Sequence, residues 1–137
     1  MGFVYENIAL ENATDVMNVM RGIIHESQIR KTETTAMVDT GAETLVINEA
    51  MRQELGLEVI GEKTISLANE AIETCKVTEP VKIYWKNRFT FTEALILPGA
   101  DEILLGAIAL EGLNVIVDPL KQRLVGRHGD EVIFKIK

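Results

Sequence analysis

Asp39-Thr40-Gly41 is the triplet in this sequence whose residue types and order suit acid–base chemistry. Residues 34–38 ahead of it are β-branched and apolar, so Asp39 is expected at the end of a buried strand, where a carboxylate has little freedom. Gly41 lacks a Cβ, which lets a backbone N–H approach that carboxylate closely. Thr40 brings a hydroxyl able to pin the turn to a neighbouring backbone. The plain structural use of the same triplet is an Asx-type turn that closes a strand.

One carboxylate in such a turn does little. Two that meet face to face share a proton, because like charges about 3 Å apart do not both ionise easily. The pair then holds one base and one acid. The base takes a proton from water while the acid polarises a carbonyl, which is direct attack of water on a peptide bond without a covalent intermediate or a metal. Asp15, Asp101, Asp118 and Asp130 lack a following Thr/Ser-Gly, so the sequence holds one such carboxylate. A dyad therefore requires a second copy, set by a two-fold axis that places each Asp39 opposite its twin.

The 137 residues are the length of one domain, expected to span 1–137. Lys and Arg total 14 against 21 Asp and Glu, a net charge of -7 that argues against a nucleic-acid partner. An apolar fraction of 47% argues against disorder. No apolar run approaches the roughly 20 residues that span a bilayer, and the first residues lack the charge pattern of a signal peptide. Cys75 has no second cysteine to pair with, which fits a reducing, cytoplasmic setting. There is no G-x-G-x-x-G, P-loop, C-x-x-C or H-E-x-x-H, so neither a cofactor nor a metal is expected. His25 and His128 read as surface residues and Cys75 as a buried structural thiol rather than a nucleophile.

The elements that must position Asp39 read mostly as strands. Residues 3–10, 34–38, 45–47, 72–78, 103–105, 114–117, 123–125 and 132–136 carry strand patterns, while 15–22 and 23–29 fit neither strand nor helix cleanly. Asn48 reads as an N-cap, 49–55 as a short helix and Gly56 as its closing glycine. Val81, Ile83 and Trp85 alternate, as do Phe89, Phe91, Leu95 and Leu97, broken only by Glu93. Lys86-Asn87-Arg88 makes a turn between the two runs. The alternation predicts Trp85, Phe89 and Phe91 in the core.

With these pieces in view, Ala36 through Ile47 closely resembles the active-site segment of the retropepsin-like aspartic proteases. There a hydrophobic strand leads to Asp-Thr/Ser-Gly-Ala/Ser, a polar residue or two, then an apolar strand. A second family feature, an apolar run ending in glycine before a short helix, is matched by Ile103-Leu104-Leu105-Gly106 and the residues from Ala107. Gly106 lies 67 residues after Asp39. The resemblance is to the small bacterial members rather than to the two-lobed pepsin type, which carries two such motifs in one chain.

The resemblance implies an all-β, closed-barrel acid protease fold with one or two short helices, and a C2 homodimer cutting a peptide or protein substrate. It makes Asp39 the catalytic aspartate, Thr40 the hydroxyl that reaches across the dimer, and Gly41 the glycine that supports the carboxylates. Ala42 and Glu43 then line the substrate cleft. Residues 65–74 fall where the family places its flap, with Leu67, Ala68, Asn69 and Glu70 facing substrate. Leu104, Leu105 and Gly106 form the structural second motif. The flap tip here contains no glycine, and Asn69 is expected to supply its positive φ. Ala107 stands where retroviral members carry Arg, so Glu43 must find another partner or face water. The terminal strands, 3–10 and 132–136, are candidates for a dimer sheet, with pairing inside one chain equally open. The alternative function is a non-catalytic dimer that binds peptides or extended protein segments in the same groove.

Overall fold

The computed structural model describes residues 3–136. In chain order the elements are β1 (Val4–Asn12), α1 (Ala13–Met20), a 3-10 turn (Glu26–Gln28), β2 (Lys31–Val38), β3 (Leu45–Ile47) and α2 (Glu49–Leu55). Then follow β4 (Val59–Ser66), β5 (Ile72–Thr78), β6 (Val81–Trp85), β7 (Arg88–Thr92), β8 (Ala94–Ile96) and β9 (Ile103–Leu105). The last three are α3 (Ala107–Gly112), β10 (Val115–Asp118) and β11 (Arg123–Gly126). No helix among the described residues is long and apolar enough to cross a membrane.

Nine strands form one mixed sheet in the order β4-β5-β8-β3-β9-β2-β1-β6-β7, and β10 pairs with β11 as a separate ribbon. The large sheet therefore has two ends, β4 and β7, and hydrogen bonds do not close it into the barrel expected from the sequence. The ends explain this. β5 holds β8 only at Lys76 and Val77, and beyond that point the β4–β5 hairpin leaves the sheet as a two-stranded ribbon. At the other end α3 packs on β7, where Thr90 lies against Gly112. Leu10, Ala36, Leu45, Ile83 and Leu105 are fully buried in the common core.

Local chemistry sets the helices. Asn48 accepts a hydrogen bond from the Met51 amide at 2.9 Å, and Gly56 ends α2 at φ 61, as its sequence predicts. The segment 15–22, ambiguous in sequence, is helical through residue 20, which makes three α-helices among the described residues rather than one or two. Its cap is Asn12, buried, whose Oδ1 accepts from Asp15 N while its Nδ2 donates to the Leu55 carbonyl at 3.0 Å. Asp15 is buried and receives both the backbone and the guanidinium of Arg30, each bond at 2.9 Å. That guanidinium holds the Asp15 carboxyl below its ordinary range.

Two expectations are corrected. Trp85 is buried, but Phe89 and Phe91 are exposed. The inward position on β7 is taken by Arg88, which donates to the carbonyls of Asn114 and Gly129 at 2.9 and 2.8 Å. With Arg88 inward, the alternation of β7 sets both phenyl rings on the outer face, around Lys82. Residues 132–136 are not a strand: the Asn114 side chain clasps the backbone of Ile133, and no ladder forms. β1, the other candidate for a dimer sheet, pairs with β2 on one side and with β6 on the other over Ala9–Asn12.

Candidate active site

Asp39 follows directly on β2. That strand runs parallel to β9, with Val38 opposite Leu105, and β9 also meets β3 antiparallel at Val46↔Leu104. The two strands flanking the Asp39 loop are thus stapled to the same three-residue strand. All three positions of β3 are buried, as are Ile103 and Leu105. The loop between them has little room to move.

Within the loop several backbone groups are engaged. The Asp39 amide donates to the Leu105 carbonyl at 3.0 Å, and the Ala42 amide donates to the Asp39 carbonyl at 3.1 Å, closing a β-turn. The Gly41 amide donates to Asp39 Oδ1 at 2.9 Å, which fixes the carboxylate on the chain that carries it. A Cβ at Gly41 would sit 3.2 Å from that oxygen, so the glycine keeps the approach open. Asp39 is half-buried and forms no ion pair among the described residues. Its second oxygen accepts no hydrogen bond among the described residues.

The second motif locks this loop from behind. Gly106 is buried, and a Cβ there would lie 2.3 Å from the Thr44 carbonyl oxygen and 2.6 Å from that of Ala42. The first two amides of α3, those of Ala107 and Ile108, donate to the carbonyls of Ala42 and Glu43, both at 2.8 Å. Leu104, Leu105 and Gly106 are therefore joined to the Asp39 loop and the strands that flank it.

Sequence reasoning missed the residues beneath the loop. Thr44 is buried, and its hydroxyl meets the Thr92 hydroxyl at 3.0 Å and donates to the Glu93 carbonyl at 3.1 Å. The available signal was Glu93 itself, the acidic residue that interrupts an alternating apolar run. Its carboxylate pairs with Lys63 on β4, so the same residue links the loop support to the hairpin. Thr40 and Glu43 are exposed, and neither side chain has a hydrogen bond among the described residues.

β4 and β5 make the hairpin expected at 65–74, in register from Ser66↔Ile72 down to Gly61↔Val77. Its tip is a turn in which the Glu70 amide donates to the Leu67 carbonyl at 2.9 Å and the Leu67 amide to the Ala71 carbonyl at 2.8 Å. The positive φ falls on Glu70, at 69°, and not on Asn69. Asn69 serves instead through its side chain, which accepts from the Ala71 amide at 3.0 Å. A turn followed by one left-handed residue is the usual route to a hairpin with a bulge, and the left-handed place is the third in the loop, which is Glu70. Leu67 is half-buried, while Ala68, Asn69 and Glu70 are exposed. No hydrogen bond joins these four to the Asp39 loop.

The other reactive side chains stay apart from this site. Cys75 is buried on β5, and burial pushes its thiol up, which makes a poor nucleophile. His25 and His128 are exposed. No group of three or more potential metal ligands exists among the described residues.

Comparison with known proteins adds a family. A family model described as aspartyl protease matches residues 26–123, a span that takes in the Asp39 loop, the β4–β5 hairpin and the Gly106 motif. No curated protein matches the chain. Among solved structures, a retropepsin-like aspartic protease from Rickettsia conorii is similar at 22% identity, over 85% of each chain, with a TM-score of 0.47.

Proposed function

The chain belongs to the aspartyl protease family, and from that premise we propose that two copies assemble into an aspartic endopeptidase, each giving its Asp39 to one shared dyad. The observation that carries the reading is the Asp39 carboxylate itself. One oxygen is held by the Gly41 amide, the main chain is held by Leu105, and no cation among the described residues pairs with it.

One Asp39 is ionised and its twin is protonated, since the two share a proton. The ionised member takes a proton from a water molecule as the water oxygen bonds to the scissile carbonyl carbon. The protonated member gives its proton to the carbonyl oxygen. The tetrahedral diol then returns a hydroxyl proton to one carboxylate while the other protonates the nitrogen. The C–N bond breaks, and the dyad is left with one proton, as it began.

Thr40, exposed at the tip of the loop, is placed in this reading to meet the second copy. Ala42, Glu43 and the hairpin tip from Leu67 to Glu70 bind the peptide. The copies meet in part through the C-terminal segment, where Val132, Ile133, Phe134 and Ile136 are exposed and call for cover. Residues 1–137 act as one domain with half a site, and the lone buried thiol suits a reducing cytoplasm.

One observation favours a second reading, a dimer that binds peptides without cutting them: a hairpin tip free of glycine, with Glu70 held in a left-handed conformation. A mixed peptide library, incubated at about pH 4 to 7 and analysed for new termini by mass spectrometry, separates the two. New termini with the native chain and none with Asp39→Asn support the protease. Retained binding without any cleavage supports the second reading.

A further inference from the structure

We propose that Glu93 is a positioning residue, which anchors the β4–β5 hairpin for substrate binding through its ion pair with Lys63; this rests on the proteolytic reading above. The hairpin needs an anchor because little else holds it. β5 meets the sheet at Lys76 and Val77, and Cys75 is the last buried residue on the way to the tip. Beyond it Thr64 and Ser66 on β4 are exposed, as are Ile72, Glu73 and Thr74 on β5. No hydrogen bond or ion pair among the described residues joins 64–74 to the rest of the fold. Lys63 stands opposite Cys75 in the β4–β5 register. Its pair with Glu93 is therefore the outermost polar tie between hairpin and body among the described residues.

Glu93 is the fixed end of that tie. The next residue, Ala94, is buried in β8 opposite Leu45, and its amide donates to the hydroxyl of buried Thr78 at 3.2 Å. The Glu93 carbonyl accepts the Thr44 hydroxyl at 3.1 Å, beneath the Asp39 loop. Main chain and side chain thus serve different partners. The carbonyl supports the loop, and any residue would supply it, whereas the carboxylate holds the hairpin. Without the ion pair the hairpin beyond Lys63 pivots on the rungs at Lys76 and Val77, and a peptide that binds its tip must first order it. That cost falls on binding more than on the chemistry at Asp39. Both side chains are partly exposed, Lys63 58% and Glu93 35%, so the anchor is modest and weakens in salt.

The test uses the full chain and a peptide from a cleaved library sequence. Glu93→Gln and Lys63→Gln are each expected to raise KM about two- to fivefold, with kcat changed less, and to speed amide exchange over 64–74 by a similar factor. Lys63→Glu combined with Glu93→Lys is expected to return both readouts toward native values, since the pair re-forms with its charges exchanged. Thr44→Val removes the main-chain contact instead, and is expected to lower kcat without the gain in exchange. Native KM and native exchange in Glu93→Gln, or a charge swap no better than the single variants, overturn the proposal. If the native chain cuts no peptide, the proteolytic reading falls instead, and exchange over 64–74 in the same variants still decides whether Glu93 anchors the hairpin.

Discussion

Gly106 lies so close to Thr44 that a Cβ at position 106 would sit 2.3 Å from the Thr44 carbonyl oxygen. That oxygen and the next nearest, the Ala42 carbonyl oxygen at 2.6 Å, are backbone atoms of a loop held by α3, so neither can yield cheaply. The second motif is thus glycine because the loop that presents Asp39 rests directly on it.

Gly106→Ala is expected to push that loop aside. Overpacking of this kind costs about 1–3 kcal/mol in stability, and a displacement near 1 Å at reacting groups costs about 100-fold in rate. Chemical denaturation and peptide cleavage measured on one preparation check both. A variant with native stability and native activity would show that the loop does not depend on this contact.

The hairpin tip predicts an opposite effect. Glu70 sits at φ 69, where a Cβ costs energy that glycine avoids. Glu70→Gly is expected to stabilise the folded chain by about 0.5 kcal/mol after the entropy that glycine adds to the unfolded chain. Hydrogen exchange at the Glu70 and Ala71 amides reads the local change. Faster exchange at both would contradict the turn described.

Much of the site was legible in the sequence because its chemistry is local. Asn48 and Gly56 announce the ends of α2, and Asp39-Thr40-Gly41 followed by an apolar triplet announces the loop. What was hidden depended on distant partners. Arg88 takes the inward place on β7 for the carbonyls of Asn114 and Gly129, which no alternation of Phe89 and Phe91 reveals. The cap of α1 is Asn12, whose amide is tied to Leu55 across the fold. Residues 132–136 have the pattern of a strand, but they form no ladder and Ile133 is held by the Asn114 side chain. The third in-loop place at the hairpin tip, not residue preference, assigned the positive φ to Glu70 rather than Asn69.

Asp15 and Arg30 give a pH dependence. The Asp15 carboxyl is held below its unfolded value, chiefly by the hydrogen bonds from Arg30. Its contribution is therefore complete above the unfolded carboxylate range, near pH 4, and is lost as the pH falls through the lower folded value. Arg30→Gln should cost about 1–3 kcal/mol at neutral pH, since Asp15 is left buried and Arg30 itself is half exposed. Asp15→Asn should flatten the acid limb of stability below about pH 4. Urea midpoints taken across that range check the pair, and an unchanged acid limb would contradict it.

The central claim is that one reaction centre needs two Asp39 carboxylates from two chains. Native chain and Asp39→Asn chain, mixed in varied proportion at fixed total concentration and allowed to exchange, test it directly through the rate of peptide cleavage. If both carboxylates are required, activity follows the square of the native fraction, so an equal mixture retains about one quarter. Activity that falls in direct proportion to the native fraction, to about one half in the equal mixture, would mean that each chain works alone and would contradict the account.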